Sequence, residues 1–293
     1  MSTRVIVAGA AGKMGREVMK AVLGSHDLEL AGGVDLREEG RDLGELAALG
    51  HLGSVAASDL AQEIDSKRPD VLVDFTSPQS VVDNVHIAIE RGVHAVVGTT
   101  GMSQSDIASI DTLCRRRGVG AVIAPNFAIG AVLMMRFAAL AARFFPKAEV
   151  IELHHDQKKD APSGTAIKTA EMILAARRQA GAAGGLSLPV APGDLLEKVP
   201  GARGASMEDI HLHSVRLPGL VAHQEVIMGL PGQILSIRHD SISRESFMPG
   251  VLLAIRRVRD FHQAIYGLEH LLFDGESSAG GADSFSSDAM NPR

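Results

Sequence analysis

A short stretch in the middle of the chain, residues 152–166, carries most of the side chains that could do chemistry. It reads Glu-Leu-His-His-Asp-Gln-Lys-Lys-Asp-Ala-Pro-Ser-Gly-Thr-Ala. An apolar run at 148–153 predicts a strand before it, and a run at 165–176 predicts a helix after it. The first N–H groups of a helix lack partners and lie at the positive end of its dipole. With imidazoles and ammonium groups beside them, they predict a site for a negatively charged substrate that must also receive a proton.

Each part of this loop also has a plain structural interpretation. Pro-Ser-Gly is common in turns, and Ser163 can simply cap the following helix. The cluster as a whole favours a functional site, because nothing structural requires two histidines and two lysines at the start of a helix.

A glycine-rich turn near the start of the chain predicts a dinucleotide site. Residues 9–15 (Gly-Ala-Ala-Gly-Lys-Met-Gly) follow the apolar run Arg4–Ala8 and open a helix-like run. Glycines there permit a tight turn and let the backbone approach a pyrophosphate. Asp35 closes the second predicted strand, where an acid binds ribose hydroxyl groups and normally favours NADH. Lys13 and Arg37 are cations that can accept a 2′-phosphate, so the preference between NADH and NADPH stays open.

Two more loops follow predicted parallel strands, Gly98-Thr99-Thr100-Gly101 and Ala124-Pro125-Asn126-Phe127. Ligands of open α/β sheets bind at the carboxyl ends of the strands. Small residues there let a nicotinamide ring lie close to the backbone, although each loop alone also fits an ordinary turn.

The elements that must position these loops form a doubly wound α/β sheet in the first part of the chain. The predicted strands are Arg4–Ala8, Leu28–Val34, Val71–Phe75, Val93–Val97 and Gly120–Ala124, and the predicted helices are Lys13–Leu23, Gln79–Arg91 and Asp106–Arg117. Ser103 and Asp106 form a capping pair before the last of these helices.

A different pattern follows the long apolar helix predicted at Ile129–Phe145. Strands are predicted at Ala148–His154, His211–Arg216, Gly219–Met228 and Gln233–His239, with helices at Thr165–Gln179 and Arg244–His262. This clustering predicts a mixed or antiparallel sheet in a second domain. Residues 181–204 predict a loop, and the Gly- and Ser-rich tail after Phe273 predicts disorder.

Composition excludes several classes of protein. Of 293 residues, 45% are hydrophobic and only 3% aromatic, which suits a buried parallel sheet, and the net charge of -6 argues against a general nucleic-acid binder. No apolar run is long enough to span a membrane, no signal peptide is visible, and the single cysteine, Cys114, forms no intramolecular disulfide. We therefore expect a cytoplasmic protein, with Cys114 packed in a helix.

The chain resembles the 4-hydroxy-tetrahydrodipicolinate reductase family, long called dihydrodipicolinate reductase, of the diaminopimelate and lysine pathway. The residues that carry the resemblance are 9–15, Asp74-Phe75-Thr76, 98–101, 124–127 and, above all, 152–166. The resemblance covers the chain up to about Phe273. It implies NAD(P)H-dependent reduction of a cyclic imine dicarboxylate to tetrahydrodipicolinate.

The resemblance also implies an organisation of the chain. Residues 1–128 would form a Rossmann domain, 129–240 an α/β substrate and oligomerisation domain with an open sheet, and 241–273 a helix that returns to the first domain. The open sheet would assemble a homotetramer. The resemblance does not extend to residues 274–293 and implies no role for them.

Individual roles follow from the same resemblance. His154 would donate or accept the proton and Lys158 would be a general acid. His155, Gly164 and Thr165 would hold the substrate carboxylates. The cofactor would be lined by Gly9, Ala10, Ala11, Gly12, Lys13, Met14, Asp35, Gly98, Thr99, Thr100, Ala124, Pro125, Asn126 and Phe127. Hydride addition to a conjugated imine leaves an enamine-like carbanion, and an imidazole that titrates near neutrality suits its protonation.

Some positions depart from the family pattern or have no role in it. Leu36 stands where some relatives carry a basic residue that helps to bind NADPH, and Lys159 is not required by the motif. The region around His223 also differs from some relatives, and no role is assigned to it. His211 and His213 alternate on one strand face without a nearby cysteine or acidic partner, so a solvated face is favoured over a metal site.

Two other functions compete with this one. The first is another two-domain dehydrogenase, of the aspartate-semialdehyde or the homoserine type. The aspartate-semialdehyde type needs a nucleophilic cysteine in an active-site loop, and only Cys114, in a predicted helix, is available. The second is a sensor that binds a nucleotide without turnover. Such a protein would have lost the polar residues of its substrate site, whereas residues 152–166 are the part of the chain richest in side chains that could do chemistry.

Overall fold

The computed structural model describes residues 2–182 and 196–273. Most of the loop predicted at 181–204 and the whole tail predicted to be disordered lie outside the described residues. The strands are β1 (Thr3–Ala8), β2 (Leu28–Val34), β3 (Val71–Asp74), β4 (His94–Val97), β5 (Ala121–Ile123), β6 (Lys147–His154), β7 (Ala205–Met207), β8 (Ile210–Arg216), β9 (Ala222–Leu230), β10 (Gln233–Ser241) and β11 (Ala264–Tyr266). The helices are α1 (Lys13–Leu23), α2 (Leu43–Leu46), α3 (Leu60–Lys67), α4 (Val81–Glu90), α5 (Gln104–Arg117), α6 (Ile129–Ala142), α7 (Gly164–Ala182), α8 (Met248–Arg257) and α9 (Glu269–Leu272).

The first sheet is a six-stranded parallel sheet in the order β11-β5-β4-β3-β1-β2. Its central strands are apolar on both faces, as a parallel sheet covered on both sides by helices requires. Residues 71–74 of β3, for example, are all buried. The topology confirms the predicted doubly wound sheet and brings the ends of β1, β3, β4 and β5 to one edge.

The second sheet is mixed, in the order β10-β9-β6-β8-β7. Strands β6 and β8 are parallel, and the other pairs are antiparallel. Alternate residues of β6 face a core shared with α6 and α7, which contains Ala148 and Val150. Glu152 and His154 continue the same alternation, so a carboxylate and an imidazole lie on the helix-covered face.

The last described segment returns to the first sheet. Helix α8 packs on α1, and Arg256 forms a two-pronged ion pair with Asp27 at 2.7 and 2.9 Å. Strand β11 then adds a parallel strand beside β5. The single helix predicted at Arg244–His262 is wrong in its extent, because Ser243 caps a separate 3-10 turn (Arg244–Phe247) before α8 begins.

Several other details differ from the prediction. Helices α2, α3 and α9 and the three-residue strands β7 and β11 were not predicted. The predicted strand Gly219–Met228 begins only at Ala222, after a turn. His213 has an acidic partner after all, because its Nε2 lies 2.8 Å from Oε2 of Glu149.

The predicted capping pair is confirmed. The Ser103 hydroxyl accepts from the Asp106 N–H, and the Asp106 carboxylate accepts from the Ser103 N–H. Among the described residues, no helix has the length and apolar character needed to cross a bilayer.

Candidate active site

In the turn between β1 and α1, the positions of Gly9 and Gly15 are packed too tightly for a side chain. A Cβ at Gly9 would lie 2.5 Å from the carbonyl oxygen of Phe75, and one at Gly15 would lie 2.1 Å from that of Gly9. Within the described chain, no acceptor bonds the N–H groups of Lys13 and Met14, and no side chain caps α1. The turn therefore offers the open backbone and free donors that a pyrophosphate needs.

Asp35 is tied directly to this turn. Its Oδ2 accepts from the Ala11 N–H at 3.0 Å, and its Oδ1 accepts from the Arg37 N–H at 3.0 Å. Each oxygen keeps a second lone pair, so the carboxylate can still accept from ribose hydroxyl groups. Leu36, next to it, is 79% exposed.

A buried carboxylate, Asp74, joins the loops that follow β3 and β4. Its Oδ1 accepts from the Thr76 N–H and from the hydroxyls of Thr76 and Thr99, at 3.1, 2.8 and 2.7 Å. Its Oδ2 accepts from the Asn84 amide at 2.8 Å. Asp74 is fully buried, so these donors replace its hydration and fix Thr99 in the loop predicted to line the cofactor.

The loop after β5 is anchored by an aromatic contact. The Phe127 ring is buried and lies 6.0 Å from the Phe75 ring, at a tilt of 55°. A Cβ at Gly98 would lie 2.0 Å from the Phe75 ring. Asn126 is half-buried, and its Oδ1 accepts from the Ala128 N–H at the start of α6.

His154 ends β6 with its ring bound to Glu152. The two residues are linked through Nδ1 and Oε2 at 2.5 Å, and Glu152 is fully buried. Oε1 of Glu152 also accepts from the Ser163 N–H at 3.2 Å. Two guanidinium nitrogens of Arg216 donate to the two carboxylate oxygens, at 2.7 and 2.9 Å.

The charge states of this group follow from its partners. Burial by itself raises the pKa of Glu152, but hydrogen bonds from Arg216, Ser214 and His154 outweigh it and hold the pKa below its ordinary value. Because an ionised carboxylate only accepts, Nδ1 of His154 carries the hydrogen. Burial lowers the pKa of His154, and the charges of Lys158 and Arg216 add to this, against the pull of Glu152.

The start of α7 has free backbone donors. The Ser163 hydroxyl accepts from the Ala166 N–H at 3.2 Å, so Ser163 does cap the helix. In the part of the chain that the structure describes, the N–H groups of Gly164 and Thr165 have no acceptor. They lie at the positive end of a long helix, where a carboxylate binds well.

The two lysines and the second histidine stand apart from this group. Both oxygens of Asp160 accept from Nζ of Lys158 at 2.8 Å, whereas Lys159 is exposed. His155 is half-buried, and its carbonyl accepts from the Lys158 N–H in a turn. None of these three residues lines the pocket between the two sheets.

One pocket lies between the two sheets, beside His154 and the start of α7. It brings together three of the residues predicted from the sequence, Asn126, His154 and Thr165. Its remaining lining residues are Ala128, Ala131, Met134, Ser163, Ala222, His223, Gln224, His239, Ser241 and Phe247. The end of the predicted cofactor surface and the start of the predicted carboxylate site thus share one cavity.

Several residues of this region were missed by the sequence reasoning. The pairing of Arg216 with Glu152 spans 64 positions, which no motif spacing reveals. Gln224 donates to the Thr169 hydroxyl at 2.7 Å, which in turn donates to the Thr165 carbonyl at 2.7 Å. The sequence does contain one signal for the Arg216–Glu152 pair. Glu152 alternates with the apolar residues Ala148 and Val150, so its carboxylate faces inward and needs a cationic partner.

Cys114 lies inside α5, as predicted. It is buried, and burial raises the pKa of its thiol to about 12. A thiol in that state is not a nucleophile, which removes the support for the semialdehyde dehydrogenase alternative.

The family models and the curated relatives that match this chain agree on one family. The model of the dihydrodipicolinate reductase N-terminus matches residues 3–127, and that of the C-terminus matches residues 130–272. The 4-hydroxy-tetrahydrodipicolinate reductase of Moorella thermoacetica is 53% identical over 92% of this chain and 97% of its own length. That of Desulfitobacterium hafniense is 50% identical over 92% of this chain and 98% of its own length.

A solved structure gives the same result for the fold. The dipicolinate-bound dihydrodipicolinate reductase of Paenisporosarcina sp. TG-14 superposes with a TM-score of 0.80 at 42% identity, over 92% of this chain and 99% of that one. Both halves of the chain and both sheets are thus matched, and the chain belongs to the dihydrodipicolinate reductase family.

Proposed function

We propose that this chain reduces 4-hydroxy-tetrahydrodipicolinate, a cyclic imine dicarboxylate, to tetrahydrodipicolinate through the residues that meet at this pocket. Its family makes it an NAD(P)H-dependent oxidoreductase of the diaminopimelate and lysine pathway. The observation that carries the residue-level proposal is the pocket shared by Asn126, His154 and Thr165.

The cofactor residues are the turn at 9–14, Asp35, and the loops at 98–100 and 124–127. The close packing around Gly9 and the free N–H groups of Lys13 and Met14 fit a dinucleotide. When bound, the dihydronicotinamide supplies the hydride. The protein residues bind it, orient it and hold the Asn126 loop beside the substrate.

The substrate carboxylates are held by the loop at 154–165. The N–H groups of Gly164 and Thr165 bind one carboxylate at the start of α7, with His155 as a further donor. Because these donors are backbone groups of a capped helix, they are already oriented before the substrate arrives.

His154 exchanges the proton through Nε2. Its Nδ1 is occupied by Glu152, so Nε2 is the ring nitrogen left for the substrate. The lowered pKa leaves Nε2 unprotonated at neutral pH, and it therefore takes up a proton before it delivers one. The reduction consumes one proton and releases water.

Lys158 acts as a general acid in this proposal. Its ammonium group is held by Asp160, so it must leave that carboxylate to reach the substrate. A substrate carboxylate offers the same kind of partner, and the exchange therefore replaces one ion pair by another.

We also propose the organisation of the chain and its assembly. Residues 1–128 bind the cofactor, 129–240 bind the substrate and form the oligomer, and 241–273 return to the first unit. The face of the second sheet away from α6 and α7 carries Ile151, Ile227 and Ile234, and Ile234 is 75% exposed. The same face also carries charged residues, among them Glu149, Glu225 and Arg238. A mixed face with exposed isoleucines can contact other copies through both apolar and ionic groups, and we propose a cytoplasmic homotetramer built on it.

The test is oxidation of NADH and, separately, NADPH, with the imine made in place from pyruvate and aspartate semialdehyde by the preceding enzyme of the pathway. We expect substrate-dependent oxidation that His154→Ala reduces by about two to four orders of magnitude. His26→Ala, at an exposed histidine, is the control. Cofactor binding without substrate-dependent oxidation would overturn the proposal and favour a nucleotide sensor.

A further inference from the structure

Arg216 is a charged residue beside the pocket that lies outside the 152–166 motif and has no role in the proposed reaction. It lies at the end of β8, directly opposite His154 of β6 in the strand register. Its NH2 donates to Oε1 of Glu152 and also to the carbonyl oxygen of Asp160, at 2.7 and 2.8 Å. It therefore links a second strand to both ends of the 152–160 segment.

A buried carboxylate such as Glu152 has only two stable states. It stays ionised if a cation and several hydrogen bonds compensate for the lost water, or it binds a proton. The guanidinium of Arg216 donates from separate nitrogens to the two carboxylate oxygens, and from one of these nitrogens also to the Asp160 carbonyl. This planar fork fixes the orientation of the carboxylate better than the single nitrogen of a lysine ammonium. The ion pair thus determines whether Glu152, as a carboxylate, accepts a hydrogen bond from Nδ1 of His154 or, as a carboxylic acid, donates one to it.

We propose that Arg216 is a positioning residue for the reaction: it keeps Glu152 ionised and aligned, so that Glu152 fixes both the Nδ1–H form of His154 and the backbone of Ser163. This inference rests on the proposed role of His154. It gives one residue outside the 152–166 motif control over the proton-transfer group and over the turn that holds the carboxylate.

The charges that face His154 come from several elements. Glu152 lies on the same strand, Arg216 on β8, and Lys158 on the following loop, where Asp160 holds it. On the other side of the pocket are His223 and His239 of β9 and β10. His223 is already engaged, because its Nε2 accepts from the Val221 N–H and its Nδ1 lies 2.7 Å from Asp240.

Without Arg216, the Glu152–His154 pair gains a proton. Glu152 would either become neutral and donate to Nδ1, or remain an anion beside an imidazolium. Both outcomes remove the neutral Nδ1–H form. A purely structural ion pair predicts something else, namely lower stability with an unchanged form of the ring.

The experiment is ¹⁵N NMR of the His154 ring in the full chain at neutral pH, combined with steady-state kinetics. We expect the neutral Nδ1–H form in the unmodified chain and its loss in Arg216→Met. We expect kcat of that variant to fall by about 10- to 100-fold, the range found for residues that orient a metal-binding histidine, with the KM for NADH within about twofold. Arg216→Lys should restore part of kcat.

Arg177→Met is the matched control. Arg177 is also a largely buried arginine, with its guanidinium on Asp209 and on the Phe145 carbonyl, but it lies away from the pocket. We expect it to leave the His154 ring form unchanged. If Arg216→Met does not fold, Arg216→Gln supplies the test, because its side-chain amide can still donate to Glu152 but carries no charge.

An Arg216→Met variant, or Arg216→Gln in its place, that keeps the Nδ1–H form and nearly full kcat overturns the inference. The NMR result does not depend on turnover. A chain without reductase activity but with an Arg216-dependent ring form would contradict the proposed function alone.

Discussion

Asn126 and Thr165 meet across the pocket, although they lie 39 positions apart in the chain. The Asn126 Nδ2 is 3.5 Å from Oγ1 of Thr165, at the limit of a hydrogen bond. Asn126 belongs to the loop after β5, and Thr165 to the start of α7. The contact therefore connects the carboxyl edge of the first sheet to the turn that begins α7 beside the second sheet, where we propose that the hydride donor and acceptor come together.

The pairing of Lys158 with Asp160 gives a first prediction. Lys158→Ala should lower kcat by about two to four orders of magnitude, because the variant loses a proton donor. Asp160→Asn should instead lower the KM for the imine by about two- to fivefold. The Asp160 carboxylate competes with the substrate for Lys158, and the ion pair that it forms at the surface is weak. Steady-state kinetics on both variants checks this. Nearly normal turnover of Lys158→Ala would remove Lys158 from the mechanism.

A second prediction concerns the cofactor. Asp35→Ala should weaken the binding of NADH by about tenfold or more, because a charged hydrogen-bond acceptor for the ribose is lost. NADPH should lose less, since its 2′-phosphate is repelled by this carboxylate. Fluorescence titration with each nucleotide measures both constants. Glu39→Ala, at an exposed acid of the same loop, is the control, and equal losses for both nucleotides would show that Asp35 does not contact the ribose.

The parts of the molecule that the sequence predicts well are those with strong local signals. The bounds of α1 and β2 match the prediction, because a glycine turn and a long apolar run delimit them. Strand β11 has three residues, too few to show the alternation of apolar and polar residues that is typical of a strand. Its place beside β5 depends on how α8 packs. The Arg216–Glu152 pair depends on the register of β6 and β8, which a single sequence does not specify.

The pKa of His154 leads to a third prediction, about stability. Its pKa in the folded chain is below the ordinary value of 6.5. The unfolded chain therefore binds a proton more readily, and the stability contribution of the neutral ring is complete above pH 6.5 and is lost as the pH falls toward the folded pKa. Relative to His154→Gln, the unmodified chain should lose stability between neutral pH and about pH 5. Thermal unfolding midpoints of both proteins across this range check the sign, and a difference independent of pH would contradict it.

The Asp74 cluster gives a fourth prediction, which separates the loss of charge from the loss of an acceptor. Asp74→Ala leaves the Asn84 amide and the hydroxyls of Thr76 and Thr99 without their buried acceptor, at a cost of about 1–3 kcal/mol for each group. It also releases Thr99 from its place in the cofactor loop. We expect a lower melting temperature and at least about tenfold weaker nucleotide binding.

Asp74→Asn should lower the melting temperature and weaken nucleotide binding much less than Asp74→Ala. The new amide keeps one oxygen for Thr76 and Thr99, and the Asn84 side chain can turn its own oxygen toward the new NH2 group. Calorimetric melting and nucleotide titration of the two variants, side by side, measure the difference. If Asp74→Asn were as damaging as Asp74→Ala, the negative charge of Asp74, and not its geometry as an acceptor, would hold the two loops together.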